Sequence, residues 1–273
     1  MINKRIDIWG SDNYKGSGED GFFPTLDTYI LDGEKKRPAV LICAGGGYGF
    51  TSEREKEPIA MKFNSAGFHA FILNYSVAPR KHPQPLLDTS RAMCIIRENA
   101  DQWKIDSEKI AVCGFSAGGH LAASLGVHFE KNYLFDTPLI KKELNKPNAL
   151  ILAYPVITSG EFAHRGSFDN LLGLEASEEI LEEMSLEKQV NDKVPPTFIW
   201  HTFEDTAVPV ENTLLFAREL RKNNVPFELH IYPEGGHGLS LAIEETANDD
   251  TQVIPHVATW IELCTQWLEN LMK

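Results

Sequence analysis

The feature that most restricts how this 273-residue chain can fold is an alternation of short apolar runs with segments of helical periodicity. The runs fall at 26–31, 39–44, 69–74, 109–114, 149–153, 197–201 and 227–232. Each has the length of a strand and is rich in β-branched or aromatic residues. A run that is apolar at nearly every position offers no side to water and must be covered on both faces. A mostly parallel sheet with helices on both faces meets that condition. Helical patterns at 58–66, 86–103, 117–127 and 209–223 provide the cover, and a last one follows Pro255. In that segment Val257, Trp260, Ile261, Cys264, Trp267, Leu268 and Leu271 recur three and four apart, a stripe suited to packing on the sheet. Pro58, Pro209 and Pro255 each suit a first helical turn, where a missing N–H costs nothing. The expectation is an α/β fold forming one domain over 1–273.

One stretch, 158–192, breaks the alternation with acidic residues, Gly160, Gly166 and Gly173, and an amphipathic piece at 178–184. It reads as an insertion, either a small cap over a site or a surface elaboration.

Composition closes off several function classes. The 26 Lys and Arg against 39 Asp and Glu give a net charge of −13, which repels phosphate backbones and argues against nucleic acid. No stretch has the length and apolarity of a membrane span, and the opening Met1-Ile2-Asn3-Lys4-Arg5 has no signal-like apolar run, so a cytoplasmic location is expected. Cys43, Cys94, Cys113 and Cys264 are widely spaced and read as buried thiols, neither a disulfide framework nor a zinc site.

Chemistry concentrates at three strand ends. The run 109–114 leads into Gly114-Phe115-Ser116-Ala117-Gly118-Gly119-His120, a Gly-x-Ser-x-Gly pattern between a strand and a small-residue helix. The pattern alone is weak, and a plain glycine-rich helix entry is the bland alternative. In its strand-to-helix setting, the turn would expose the Ser116 hydroxyl above the sheet, beside the positive end of a helix. Upstream, the strand at 39–44 ends in Gly45-Gly46-Gly47-Tyr48, a loop able to aim bare N–H groups at one point. No Lys-Ser/Thr follows it and no Gly-x-Gly-x-x-Gly accompanies it, which argues against a phosphate or dinucleotide cradle. The loop resembles the His-Gly-Gly-Gly loop of α/β hydrolases, and that resemblance makes Gly46, Gly47 and Ala117 the candidate donors to an oxyanion.

The remaining partners come late in the chain. His237 lies in Gly235-Gly236-His237-Gly238-Leu239 just past the last strand, where it could take a proton from Ser116. Of the adjacent acids Glu204 and Asp205, Asp205 is the candidate to orient the imidazole, because the Thr-Ala-Val-Pro that follows runs into a helix and resembles the corresponding loop of α/β hydrolases. The order Ser, Asp, His is the one this kind of fold uses. A metal site at His201, Glu204 and Asp205 lacks a known ligand spacing and a second histidine. His69, His128 and His230 read as structural, His120 as packing beneath the site, and His82 and His164 as loop residues without an assignable role. Tyr48 and Phe115 are candidate substrate-binding residues, and Phe50, Phe162 and Phe168 are further aromatics that could wall a pocket.

The chain resembles bacterial α/β-hydrolase esterases of the acetyl-xylan-esterase and acetylesterase type, relatives of hormone-sensitive-lipase-like esterases. The resemblance rests on Ala44-Gly-Gly-Gly-Tyr48, Arg54-Glu55-x-Glu57-Pro58, Asn74-Tyr75-x-x-Ala78-Pro79, Gly114-Phe-Ser-Ala-Gly-Gly-His-Leu-Ala122, Tyr154-Pro-Val-Ile157, His201-Thr-x-x-Asp205-x-x-Val-Pro209 and Gly235-Gly-His-Gly-Leu239. It departs at Ala44, where His or Pro is commoner, and this leaves the loop N–H groups intact. The resemblance implies a serine carboxylesterase acting on short acyl esters, commonly acetyl groups on sugars, with no cofactor and no metal. An amide, lactone or formamide hydrolase with the same residues, or a small-molecule binder without chemistry, is the alternative. A homo-oligomer is compatible with the sequence. A prolyl-oligopeptidase-type peptidase is disfavoured by Ala117 after the serine and by the lack of an additional propeller.

Overall fold

The computed structural model describes residues 1–10, 14 and 21–273. Its strands are β1 (Arg5–Asp7), β2 (Thr25–Tyr29), β3 (Arg37–Cys43), β4 (His69–Asn74), β5 (Ile105–Phe115), β6 (Ala149–Ala153), β7 (Thr197–Thr202) and β8 (Phe227–Tyr232). They form one sheet in the order β1-β2-β4-β3-β5-β6-β7-β8. The two pairings at the β1 edge are antiparallel, and every pairing from β4 to β8 is parallel. Between them lie α1 (Glu57–Ser65), α2 (Gln84–Glu98), α3 (Ala117–His128), α4 (Arg165–Leu172), α5 (Glu178–Glu183), α6 (Glu211–Lys222), α7 (Pro255–Ala258) and α8 (Trp260–Leu271).

Because side chains alternate across a strand, each central strand feeds two separate cores. Leu41, Val112, Leu150, Leu152 and Ile199 join Met93 of α2, Leu121 and Leu125 of α3, and Phe216 of α6 on one face. Val40, Ile42, Cys113, Ile151, Phe198 and Trp200 join Phe63 of α1 and Trp260, Cys264 and Leu268 of α8 on the other. These two layers account for the continuous apolar runs of β3 to β7. All four cysteines are buried and free, and burial pushes the Cys43 thiol up to about 12.

The observed elements depart from the expected ones at polar edges. β1 has no apolar run to announce it and is held by pairing with β2 and by the Arg5 guanidinium against Asp27 at 2.6 Å. The helix expected at 86–103 ends at Glu98, where the Asn99 side chain donates to the Ile95 carbonyl at 2.8 Å. β5 begins at Ile105, earlier than its apolar run, because Arg37 pairs with Ile105 before the register shifts. The last helical segment is divided at Thr259 into α7 and α8.

The stretch 158–192 folds as α4, α5 and a 3₁₀ turn at Leu186–Gln189. Phe168, Leu171, Met184 and Leu186 pack into the same core as α3. Among the described residues no helix is long and apolar enough to cross a membrane.

The α8 layer carries a specific anchor. The Trp260 ring stacks on Trp200 with centroids 5.3 Å apart, and its indole N–H donates to the Ser240 carbonyl at 2.9 Å. Replacing Trp260 by alanine removes both contacts from a fully buried site. It is expected to cost about 3–5 kcal/mol, measured as a shift in the urea unfolding midpoint at unchanged slope.

Candidate active site

The site is built where β5 gives way to α3. Ser116 sits between them at φ 52° and ψ −118°, a conformation that side chains rarely adopt. The neighbouring glycines explain how the chain turns so sharply. A Cβ on Gly114 would lie 2.0 Å from the Gly118 carbonyl oxygen, and one on Gly118 would lie 2.1 Å from that of Cys43. Only glycine lets α3 start this close to the sheet.

His237 reaches Ser116 from the loop after β8, with Nε2 at 2.7 Å from the Ser116 Oγ. Its Nδ1 lies 2.6 Å from Asp205 Oδ2. Asp205, in the loop after β7, also accepts the backbone N–H groups of Ala207 and Val208 at 3.0 and 2.9 Å through Oδ1. His201 Nε2 approaches Oδ2 at 3.1 Å while also reaching the Val208 carbonyl at 2.9 Å, so this nitrogen carries the proton. Its Nδ1 is then the acceptor for the Thr213 hydroxyl at 2.8 Å. Burial alone would raise the pKa of Asp205, but the hydrogen bonds from His201 and His237, the imidazole charge and the Val208 N–H outweigh it. Together they hold the carboxyl well below the usual carboxylate range. Glu204 points elsewhere, accepting the Gly235 N–H at 3.0 Å. An imidazole with its Nδ1 proton fixed by a carboxylate presents a bare Nε2 to the hydroxyl, the arrangement needed for removing that proton.

The glycine loop faces the same point. Gly46 and Gly47 line one cleft with Ser116 and His237, at φ 134° and 61°. Neither of their N–H groups has an acceptor among the described residues. The N–H of Ala117 belongs to the first turn of α3, where no intrahelical acceptor exists. All three positions singled out from the sequence thus carry N–H groups without an acceptor among the described residues.

Tyr48 and Phe115 require a correction as substrate-binding candidates, because neither side chain lines the cleft. Phe115 is fully buried against Tyr154 and Trp260, on the α8 side of the sheet. Tyr48 turns inward, its hydroxyl 2.9 Å from His120 Nδ1. His120 is in turn bonded to the Met184 carbonyl at 2.9 Å, and burial lowers its pKa to about 4. Phe50, 63% exposed, is the aromatic that does line the cleft.

Several residues at the site had no role assignable from sequence. His164, at the start of α4, lines the cleft with Nδ1 at 2.8 Å from the Ser167 hydroxyl; burial, helped by the His237 charge, lowers its pKa. Asn170 of α4 donates to the Gly47 carbonyl at 2.9 Å and so props the glycine loop from the 158–192 side. Glu55 is buried beneath the loop with its Oε2 accepting the Gly45 N–H at 2.7 Å. The signal for Glu55 was its place in the Arg54-Glu55-x-Glu57-Pro58 motif. Among the described residues no group of three or more His, Cys, Asp or Glu is arranged to hold a metal ion.

This sheet order, turn and loop set define an α/β hydrolase, and several proteins similar to the chain are named as ester hydrolases. It belongs to the BD-FAE family, whose model matches residues 26–220. It is 42% identical over 245 residues to endo-1,4-beta-xylanase B of Butyrivibrio fibrisolvens, covering 88% of this chain and 38% of that protein. To the acetylxylan esterase of Xylanibacter ruminicola it is 28% identical, covering 82% of this chain and 45% of the other. The chain thus spans under half the length of these curated relatives. Among solved structures, the acetyl ester-xyloside bifunctional hydrolase of Caldicellulosiruptor lactoaceticus superposes with a TM-score of 0.89 at 42% identity, covering 98% of this chain and 96% of that one.

The depressed pKa of Asp205 fixes the sign of one linkage. A carboxyl whose folded pKa lies below its unfolded value contributes stability that is present above the unfolded carboxylate range, about pH 4, and is lost as pH falls below it. Asp205→Asn is expected to flatten this acid limb of a stability profile measured by urea unfolding between about pH 6 and 3. A limb as steep as the parent's would show that the stabilisation lies elsewhere.

Proposed function

We propose that the chain hydrolyses short-chain acyl esters, acetyl esters foremost, through an acyl-enzyme on Ser116. The observation that carries this reading is the unbroken line from Asp205 through His237 to Ser116, at 2.6 and 2.7 Å, beneath a loop with unused N–H groups. Ser116 Oγ attacks the ester carbonyl as its proton passes to His237 Nε2, and Asp205 stabilises the imidazolium. The carbonyl oxygen becomes an oxyanion and takes hydrogen bonds from Gly46, Gly47 and Ala117. As the C–O bond breaks, His237 returns the proton to the departing alcohol. Water then repeats the cycle, with His237 taking its proton and Ser116 receiving one back on release of the acid.

The alcohol we assign is carbohydrate. The cleft, about 650 Å³, is lined beyond Ser116 by Thr51, Ser52, Glu53 and Asn248, polar groups suited to hydroxyls, with Phe50 as an exposed ring. The relatives named for acetylxylan and for acetyl ester and xyloside hydrolysis point the same way. His164 brings the 158–192 insertion into the wall, so that segment acts as a partial cap over bound substrate.

Ser116→Ala is expected to lower kcat on p-nitrophenyl acetate by at least about a thousandfold with the fold retained by circular dichroism. A fluorophosphonate should label the parent once per chain and leave the variant unlabelled. Acetylated xylo-oligosaccharides should be cleaved and octanoyl esters turned over poorly. An unlabelled parent, or a variant that keeps most activity, would overturn the serine mechanism; equal turnover of octanoyl esters would overturn the acyl assignment alone.

A further inference from the structure

The sequence motif Arg54-Glu55 is not used by the mechanism above, yet its two side chains join the two loops that the mechanism depends on. Glu55 lies in a 3₁₀ turn at Glu53–Glu55, and its carboxylate is buried directly beneath the glycine loop. A Cβ on Gly45 would lie 2.9 Å from Glu55 Oε2 and 3.0 Å from the Ser116 Cβ, so carboxylate and serine flank one glycine. Oε2 accepts the Gly45 N–H at 2.7 Å and Oε1 accepts the Tyr154 hydroxyl at 2.6 Å. The Tyr154 oxygen in turn accepts the Ser240 N–H at 2.9 Å, three residues past His237. The Tyr154 ring meets the His237 imidazole edge to face, with centroids 5.1 Å apart.

Arg54 completes the bracket. Its guanidinium donates to the Gly238 carbonyl at 2.6 Å and to the Thr246 carbonyl, and its own carbonyl accepts the Ser240 hydroxyl at 2.6 Å. One turn therefore fixes both the loop that carries the oxyanion donors and the loop that carries the base.

We propose that Glu55 is a positioning residue: through Gly45 it sets the aim of the Gly46 and Gly47 N–H groups, and its buried negative charge assists Asp205 in stabilising the His237 imidazolium. This rests on the reading of Ser116 as nucleophile and His237 as base. Both Glu55 oxygens accept from groups that donate, which is the pattern of an ionised carboxylate. Burial raises its pKa, opposed by the hydrogen bonds from Tyr154 and Gly45 and by His237. Burial also pushes the Tyr154 pKa far up, so the phenol keeps the proton it donates. A buried carboxylate next to a forming imidazolium acts in a medium where charge is weakly screened.

The groups facing His237 set the sign of the test. Asp205 approaches from the β7–α6 loop, Glu55 and Arg54 from the 3₁₀ turn, Tyr154 from the end of β6 and His164 from the start of α4. Removing the Glu55 charge favours the neutral imidazole. Since kcat/KM requires that neutral form, its acid limb should move to lower pH. A residue with only a structural role would lower the rate without moving the limb.

The experiment is a pH series of p-nitrophenyl acetate hydrolysis by the full chain carrying Glu55→Gln. kcat is expected to fall by about tenfold to a hundredfold, KM to stay within about threefold of the parent's, and the acid limb to move down by about half a pH unit or more. An unmoved limb, a parental kcat, or a loss carried by KM would overturn the proposal. Tyr154→Phe keeps the ring against His237 and removes the hydroxyl; kcat is expected to fall by about three- to tenfold with KM held. Should Glu55→Gln not fold, a parental kcat in Tyr154→Phe sinks the idea. Fluorophosphonate labelling separates the two readings. If the parent is not labelled, the serine mechanism fails; if the parent is labelled and Glu55→Gln reacts at the parental rate, only the role of Glu55 fails.

Discussion

Everything at the site depends on one steric fact, the approach of α3 to the ends of β3 and β5. The carbonyl oxygens of Cys43 and Ala44 lie 2.1 and 2.5 Å from the point where Gly118 would carry a Cβ. At that distance the first turn of the helix rests on the sheet, and the residue joining them has no room for an ordinary conformation. Ser116 takes the strain at φ 52°. In return its hydroxyl stands clear of the sheet, with the N-terminal end of α3 and the glycine loop opening toward it. The serine, the positive end of a helix and the bare N–H groups converge because a single backbone crossing is tight.

Much of this could be read from residues alone, for physical reasons. The central parallel strands were legible because burial on both faces leaves few polar residues to confuse the pattern, as in Ala149–Ala153. The turn at Ser116 was legible because close backbone contact demands glycine on either side. Asp205 could be preferred to Glu204, and the structure brings Asp205 to the imidazole. What stayed hidden were the pieces that depend on tertiary placement. β1, with its exposed Arg5, has no periodicity of its own. Tyr48 and Phe115 looked like substrate contacts by their place in sequence, but residues beside a strained turn alternate in direction, and both side chains point into cores. Glu55 stood in a recognisable motif, but only the folded chain puts its carboxylate under Gly45.

The electrostatics of the site follow from how few charges are buried and how fully each is paired. Asp205 is wrapped by two imidazoles and two backbone N–H groups, which outweigh the upward pull of burial on its pKa. His201 Nε2 donates toward Asp205 and the Val208 carbonyl, which holds its ring in place behind the carboxylate. The deeper histidines His120 and His128 have pKa values lowered to about 4 by burial and serve packing and backbone hydrogen bonding. The pairing fixes one imidazole, His237, against the serine.

The anchoring of the His237 loop has a consequence for how activity and structure part company. Ser116 stands at the centre of the sheet, between β5 and α3, whereas His237 follows β8 at the edge, and that loop is tied to α8 by the Trp260 indole through the Ser240 carbonyl and to the 3₁₀ turn by Arg54. A partial opening that lifts α8 from its face of the sheet would remove one tether of the His237 loop and leave those from Arg54 and Tyr154, while the serine, its helix and most strand pairing remain untouched. The placement of His237 therefore leans on the C-terminal layer in a way that the placement of Ser116 does not, and the sheet could outlast it. An inactivated sample of this protein could keep nearly all of its secondary structure.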